Sequence, residues 1–304
     1  MFRHEGGSGR LDQASRLRRM MTVPEATASP DHPAAHVIAV VSGKGGVGKT
    51  FISANLAIAL SARGHRVVLF DLDMGLANTD IILGVEAAVT WPEVLGGRRS
   101  PGEVIIQGPG DIAFVPGASG MANIANLSEF ERHQLLAVME EIESRYHVCI
   151  LDCGAGISRN VVTLAASADT LLVVTTPEPT AVTDAYATIK AFAQERQRAA
   201  DSGMGGSMGV IVNQALSRRE GRDTYERLAG VAARFLHVPV TDYGYILVDE
   251  HVPAAVRQRR PVLLDYPRCA ASSCIMATAG RLSRELGRPE ARQSLFYRVI
   301  SLFI

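Results

Sequence analysis

The sequence predicts a three-layer α/β domain with a mostly parallel central sheet, and three observations predict it. Apolar β-type runs alternate along the chain with amphipathic stretches, the pattern of strands covered by helices on both faces. A glycine-rich stretch, SGKGGVGKTF at 42–51, directly follows the first such run and opens a helical pattern. With 304 residues, 47% of them apolar, the chain can bury the core of one large domain.

The elements follow in order. HVIAVVS reads as the first strand, and a helix is predicted from Lys49 to about Arg63. RVVLFD and DIAFVP read as the next strands. Ser128 with Glu131 three residues later is a capping box, so a helix should run from there to about Arg145. HVCILD and TLLVVTT are strands, Thr180 or Thr183 can cap a helix around Asp184 to Arg198, and GVIVN and the short HVPV complete the expected sheet. The domain is expected to occupy 36–288.

The remainder is appendage. Residues 1–20 carry Arg3, Arg10, Arg16, Arg18 and Arg19 against Glu5 and Asp12, which makes a basic arm. Residues 21–35 are rich in Pro, Ala, Thr and Ser without a period and read as a flexible linker. The whole chain balances 31 basic against 31 acidic residues, so net charge argues for no nucleic-acid partner. The start lacks the apolar stretch of a signal peptide, and no apolar run reaches the roughly eighteen to twenty residues that span a bilayer, so a cytoplasmic protein is expected. Cys149, Cys153, Cys269 and Cys274 show neither C-x-x-C spacing nor the paired histidines of a zinc motif. They are expected to be reduced packing residues rather than metal ligands.

Gly43-Lys44-Gly45-Gly46-Val47-Gly48-Lys49-Thr50 satisfies G-x-x-x-x-G-K-[ST] in the strand-to-helix context that motif requires. A P-loop NTPase domain is the expectation. Backbone N–H groups of such a loop close around phosphate oxygens, Lys49 reaches the β- and γ-phosphates, and Thr50 ligates Mg²⁺. ATP or ADP with Mg²⁺ is therefore the expected ligand. RVVLFDLD and HVCILDCGAG bring Asp71, Asp73 and Asp152 to strand ends, where ligands of open α/β sheets bind. Asp71 and Asp73 alternate, so only one should face the site if the strand persists. Asp152 is placed to hold Mg²⁺ through water, and Gly154 and Gly156 let its loop respond to the γ-phosphate. Asn213, ending GVIVN, is a candidate for the adenine edge.

Lys44 has no role in an ordinary phosphate loop. KGGVGKT resembles the deviant Walker A signature of the MinD/ParA ATPases, and that resemblance implies an ATP-dependent homodimer in which Lys44 reaches the partner's nucleotide. D-L-D-M-G-L-A-N resembles the family's switch I, which implies that Asp73 orients the attacking water and joins Thr50 and Asp152 around the metal. DCGAG resembles switch II, with Cys153 where Thr or Ser is usual. Phe51 departs from the family, where Thr, Ser or Asn follows the metal-binding threonine; its backbone N–H remains for the α-phosphate.

The ends refine the resemblance. Asp12, Gln13, Ala14, Leu17 and Arg18 match the D-Q-A-x-x-L-R helix of the flagellar branch, FlhG (also called YlxH or FleN), which implies that they stimulate a signal-recognition-type GTPase of the FlhF class. FVPGASGMANIANLS resembles the same branch. Flagellar switch (C-ring) proteins or a flagellar transcription activator are further partners the resemblance implies. In ARQSLFYRVISLFI, within 289–304, Leu295, Phe296, Val299, Ile300 and Phe303 share one side of a helix, suited to lying in the membrane interface in the ATP-bound state. The alternatives are a division-site MinD-type protein and a ParA-type ATPase that binds DNA through Arg218, Arg219 and Arg222 or Arg257, Arg259 and Arg260.

Overall fold

The computed structural model describes residues 35–73, 78–117, 128–156, 159–198 and 206–286. The strands are β1 (His36–Val41), β2 (Val67–Leu72), β3 (Ile106–Gln107), β4 (Ala113–Val115), β5 (Val148–Cys153), β6 (Thr170–Thr175), β7 (Ser207–Ala215) and β8 (Thr241–Leu247). The helices are α1 (Lys49–Ser61), α2 (Thr79–Leu83), α3 (Trp91–Leu95), α4 (Glu129–Arg145), α5 (Arg159–Ala166), α6 (Pro179–Arg198), α7 (Arg218–Leu236), α8 (His251–Arg257), α9 (Val262–Asp265) and α10 (Ala270–Leu286).

The strands form one eight-stranded sheet in the order β3-β4-β2-β5-β1-β6-β7-β8. Neighbours are parallel throughout except for the β3–β4 pair. β1, β2, β5 and β6 are buried along their whole length, which is why they read as continuous apolar runs rather than alternating ones. Period two still sorts their side chains. Val37, Ala39 and Val41 join the core under α4 to α7 with Met139, Ile142, Phe192 and Leu228, whereas Ile38 and Val40 join the core under α1 and α10 with Ile52, Leu56 and Ile275. Full burial of each such branched side chain contributes about 1.5–3 kcal/mol.

α1 is buried from Phe51 to Leu60 because it lies between the sheet and α10. That arrangement accounts for Phe51, which is buried in the α1-side core and so is a packing residue. Because β1 lies between β5 and β6, and the chain fills the sheet on both sides of it, the C-terminal ends of these three strands frame the crevice in which ligands of such sheets bind.

Three local expectations are corrected. HVPV is not a strand: His237 closes α7 in a left-handed conformation, and the edge strand is the more polar Thr241–Leu247. α6 starts at Pro179 rather than near Asp184, since proline suits the first helical position. Neither threonine caps it, for Thr183 Oγ1 donates to the Pro179 carbonyl within the first turn and Thr180 is engaged elsewhere. The capping box at Ser128 and Glu131 is present, with Ser128 Oγ accepting from Glu131 N. Among the described residues no helix is long and apolar enough to cross a membrane.

Candidate functional site

β1 delivers the loop 42–48 to the sheet's C-terminal edge, and close packing requires glycine at its two ends. A Cβ at Gly43 would stand 2.4 Å from the Asp184 carbonyl oxygen of α6. Gly48 has φ of +86°, and a Cβ there would stand 2.2 Å from Asn213 Nδ2. At Gly45 and Gly46 a Cβ would meet nothing within 4 Å, so the outer turn faces outward while its ends are clamped. Ser42 Oγ donates to the Lys44 carbonyl, and Gly156 N donates to the Ser42 carbonyl, joining the β5 loop to this one.

The two lysines of the loop have separate environments. Lys49 Nζ lies 2.8 Å from Asp152 Oδ1, with side chains 7% and 1% exposed. Ser53, one turn along α1, donates to the same Oδ1 at 2.9 Å, and Thr79 Oγ1 donates to Oδ2 at 3.2 Å. Lys44 instead lies 2.8 Å from Glu178 Oε2 and 3.1 Å from Thr180 Oγ1, in a pair whose side chains are 35% and 64% exposed.

Asp71 and Asp73 also divide. Asp71, still within β2, is buried and accepts from Asp73 N at 3.0 Å and from Thr79 N at 3.3 Å. Burial pushes its carboxyl above the ordinary value, the bond from Asp73 N opposes this, and the nearby Asp152 charge adds to the rise. Asp73 lies just past the strand and is half-buried; a Cβ on Gly154 would stand 3.4 Å from Asp73 Oδ1. The β2 and β5 loops therefore meet, with Asp71 as an internal brace and Asp73 at the loop surface. Cys153 is buried, and burial pushes its thiol up to about 12, so it packs as an unreactive side chain.

These residues fit a magnesium nucleotide. The loop supplies glycine backbone and a lysine at a helix N-terminus, and half-buried Thr50 and buried Asp152 offer oxygen donors of the type Mg²⁺ takes. Thr176, one residue past β6, adds a buried hydroxyl with no hydrogen-bond partner among the described residues. Asn213 is brought to the loop, but its Nδ2 donates to the Val47 carbonyl at 2.8 Å, so that part of its amide braces the loop.

Sequence reasoning missed Ser53, Thr79, Glu178 and Thr180. Ser53 follows Lys49 by four residues on a predicted helix, which places both on one face and could have found it. Nothing local marks Thr79 or Glu178, because their partners stand 73 and 134 residues away. Of the arginines considered for a basic patch, Arg219 pairs with Asp223 and Arg260 with Asp265. The segments 1–20 and 289–304, and most of the stretch before α4, lie outside the described residues.

The chain resembles known proteins along most of its length. Antiactivator FleN of Pseudomonas aeruginosa is 40% identical over 83% of this chain and 87% of its own length. The flagellum site-determining protein YlxH of Helicobacter pylori is 34% identical over 90% and 91%. Among solved structures, the septum site-determining protein MinD of Pyrococcus horikoshii OT3, complexed with Mg-ADP, superimposes with a TM-score of 0.64 at 22% identity, covering 83% of this chain and 98% of that one, and shows the shared fold. The model of the CobQ/CobB/MinD/ParA nucleotide binding domain matches residues 38–262, and the chain belongs to that family.

Proposed function

We propose that the chain is an ATP-dependent dimerising switch that hydrolyses ATP to ADP and phosphate and regulates flagellar number or placement. The observation that carries the reading is the split between the two loop lysines, one turned inward onto Asp152 and one outward onto Glu178. The flagellar role is supported by the likeness to FleN and YlxH over most of the chain.

Mg²⁺, when bound, would neutralise charge on the β- and γ-phosphate oxygens. The chain's own residues do the rest. Lys49 and Asp152 neutralise each other in the chain alone; with nucleotide in the loop, Lys49 would turn to phosphate and Asp152 and Thr50 to the hydrated ion. Ser53 and Thr79 keep the Asp152 carboxylate oriented in either state. Asp73 would polarise the water that attacks in line. Asn213, beside the loop, would offer the rest of its amide to the adenine edge.

Lys44 would leave Glu178 and reach the γ-phosphate of a second copy, so that ATP binds the dimer better than the monomer. That differential affinity is what a two-state switch requires. Residues 289–304 would then lie on the inner face of the cell membrane through Leu295, Phe296, Val299, Ile300 and Phe303. Residues 1–20 would stimulate an FlhF-type GTPase through Asp12, Gln13, Ala14, Leu17 and Arg18. Flagellar switch proteins or a transcription activator are candidate further partners.

The test mixes a peptide of residues 1–24, and separately the full chain with ATP, with an FlhF-type GTPase. Stimulated GTP turnover is expected from both, and from a chain lacking residues 1–20 none. Equal stimulation without the arm, or none with it, would overturn the flagellar assignment. Removing 292–304 should abolish ATP-dependent liposome binding; retained binding would sink the membrane assignment.

A further inference from the structure

The cysteines carry no zinc-ligand spacing in sequence, yet folding places one of them beside a histidine and a carboxylate. Asp249 lies just beyond β8, His251 opens α8, and Cys269 precedes α10. A carboxylate oxygen, an imidazole nitrogen and the thiol sulfur of these residues lie within 4.8 Å of one another. We propose that Asp249, His251 and Cys269 form a zinc-binding site with an open fourth position, built from none of the residues assigned above to the magnesium nucleotide.

The donor set selects the metal class. Thiolate and imidazole with one carboxylate suit Zn²⁺, whereas Mg²⁺ takes oxygen donors in an octahedral shell. Access suits an ion arriving from solvent: His251 is 42% exposed, Asp249 is 7% exposed, and Cys269 is half-buried. Gathering the donors to bond lengths of about 2.0–2.3 Å needs only a local closure. His251 Nδ1 now lies 2.7 Å from Asp249 Oδ1 and would exchange that bond for the metal, or keep it while its other nitrogen binds.

Groups that would support a metal site are in place. Ser272 N donates to Cys269 Sγ at 3.4 Å, a bond that stabilises a thiolate. Ala271 N donates to Asp249 Oδ2 at 3.1 Å, His251 N donates to Oδ1 at 3.0 Å, and the Tyr266 ring lies against the imidazole at 4.6 Å between centroids. Burial works to raise the Asp249 carboxyl, but the bonds from Ala271, His251 and Cys269 outweigh it and hold the group well below the usual carboxylate range. The carboxylate is therefore ionised at neutral pH. Binding would release the Cys269 proton and tie the loop at the sheet's C-terminal edge more firmly to the start of α10.

The test uses the full chain, reduced, stripped of metal and free of nucleotide, titrated with Co²⁺ alone and then Zn²⁺ alone. One Co²⁺ per chain with a sulfur-to-cobalt charge-transfer band, displaced by Zn²⁺, is the expected result. Cys269→Ser should remove the band, and His251→Ala should weaken binding about tenfold or more. Site-resolved alkylation of the unaltered chain needs no variant: zinc should protect Cys269 while Cys274 serves as the internal reference. Cobalt bound without a sulfur band, or Cys269 alkylated equally with and without zinc, would overturn the proposal. Among the described residues the metal donors assigned at the phosphate loop, Thr50 and Asp152, are oxygens, and neither readout measures nucleotide turnover.

Discussion

Lys44 and Lys49 stand five residues apart in one loop and differ in almost everything else. Lys49 is sealed against Asp152, with Ser53 and Thr79 satisfying the same carboxylate. Lys44 rests on Glu178 and Thr180 at the surface. Burial makes the first pair part of the architecture, since removing one member leaves an uncompensated charge inside the protein. Exposure makes the second pair exchangeable, because water and salt offer each partner nearly as much. One loop therefore presents a buried cation committed to its own subunit and an exposed one that can exchange partners.

The sharpest break in that contrast is Lys49→Ala. It should cost about 3–5 kcal/mol of folding stability and abolish ATP turnover, as read by denaturant unfolding and phosphate release. Asp73→Ala should be folded and bind ATP but turn it over at least about a hundredfold more slowly and accumulate dimer; unchanged turnover would remove Asp73 from the chemistry.

Asp71 sharpens the buried side through pH. Its carboxyl is raised in the fold, so the folded state holds this proton more tightly than the unfolded one, and the group's contribution to stability falls as pH rises through that window. Asp71→Asn removes the dependence. Measured against the unaltered chain, the variant's relative stability should therefore improve as pH climbs from the ordinary carboxylate range toward neutrality. A difference that stays flat with pH would contradict the burial argument.

Glu178→Gln should have the smallest effect on stability, within about 1 kcal/mol, while shifting the ATP-dependent dimer to lower protein concentration because Lys44 loses its intrachain partner. An unchanged dimerisation midpoint would show that Glu178 does not hold Lys44 back.

The sequence disclosed these features unevenly, for physical reasons. β1, β2, β5 and β6 are covered on both faces and so were plain as apolar runs, and the loop between β1 and α1 was plain because phosphate binding constrains residue type at fixed spacing. β8 was obscured because an edge strand pairs on one side only and tolerates Thr241, Asp242 and Gly244; the apolar HVPV drew the assignment instead. Asp152 could be placed at a strand end, but its companions Ser53 and Thr79 come from two other elements, and that convergence is a property of the fold. Phe51 looked anomalous against the family motif and became ordinary once its side chain was placed in the core. The cluster of Asp249, His251 and Cys269 was hidden for the same reason as Thr79, since the histidine and the thiol stand 18 positions apart in the chain.

The exposed lysine is the centre of the account, and sedimentation of the Lys44→Ala chain tests it most directly. With ATP and Mg²⁺ the unaltered chain should sediment as a dimer, and Lys44→Ala as a monomer that still binds nucleotide and keeps its folding stability within about 1 kcal/mol. A Lys44→Ala chain that dimerises normally with ATP would contradict it.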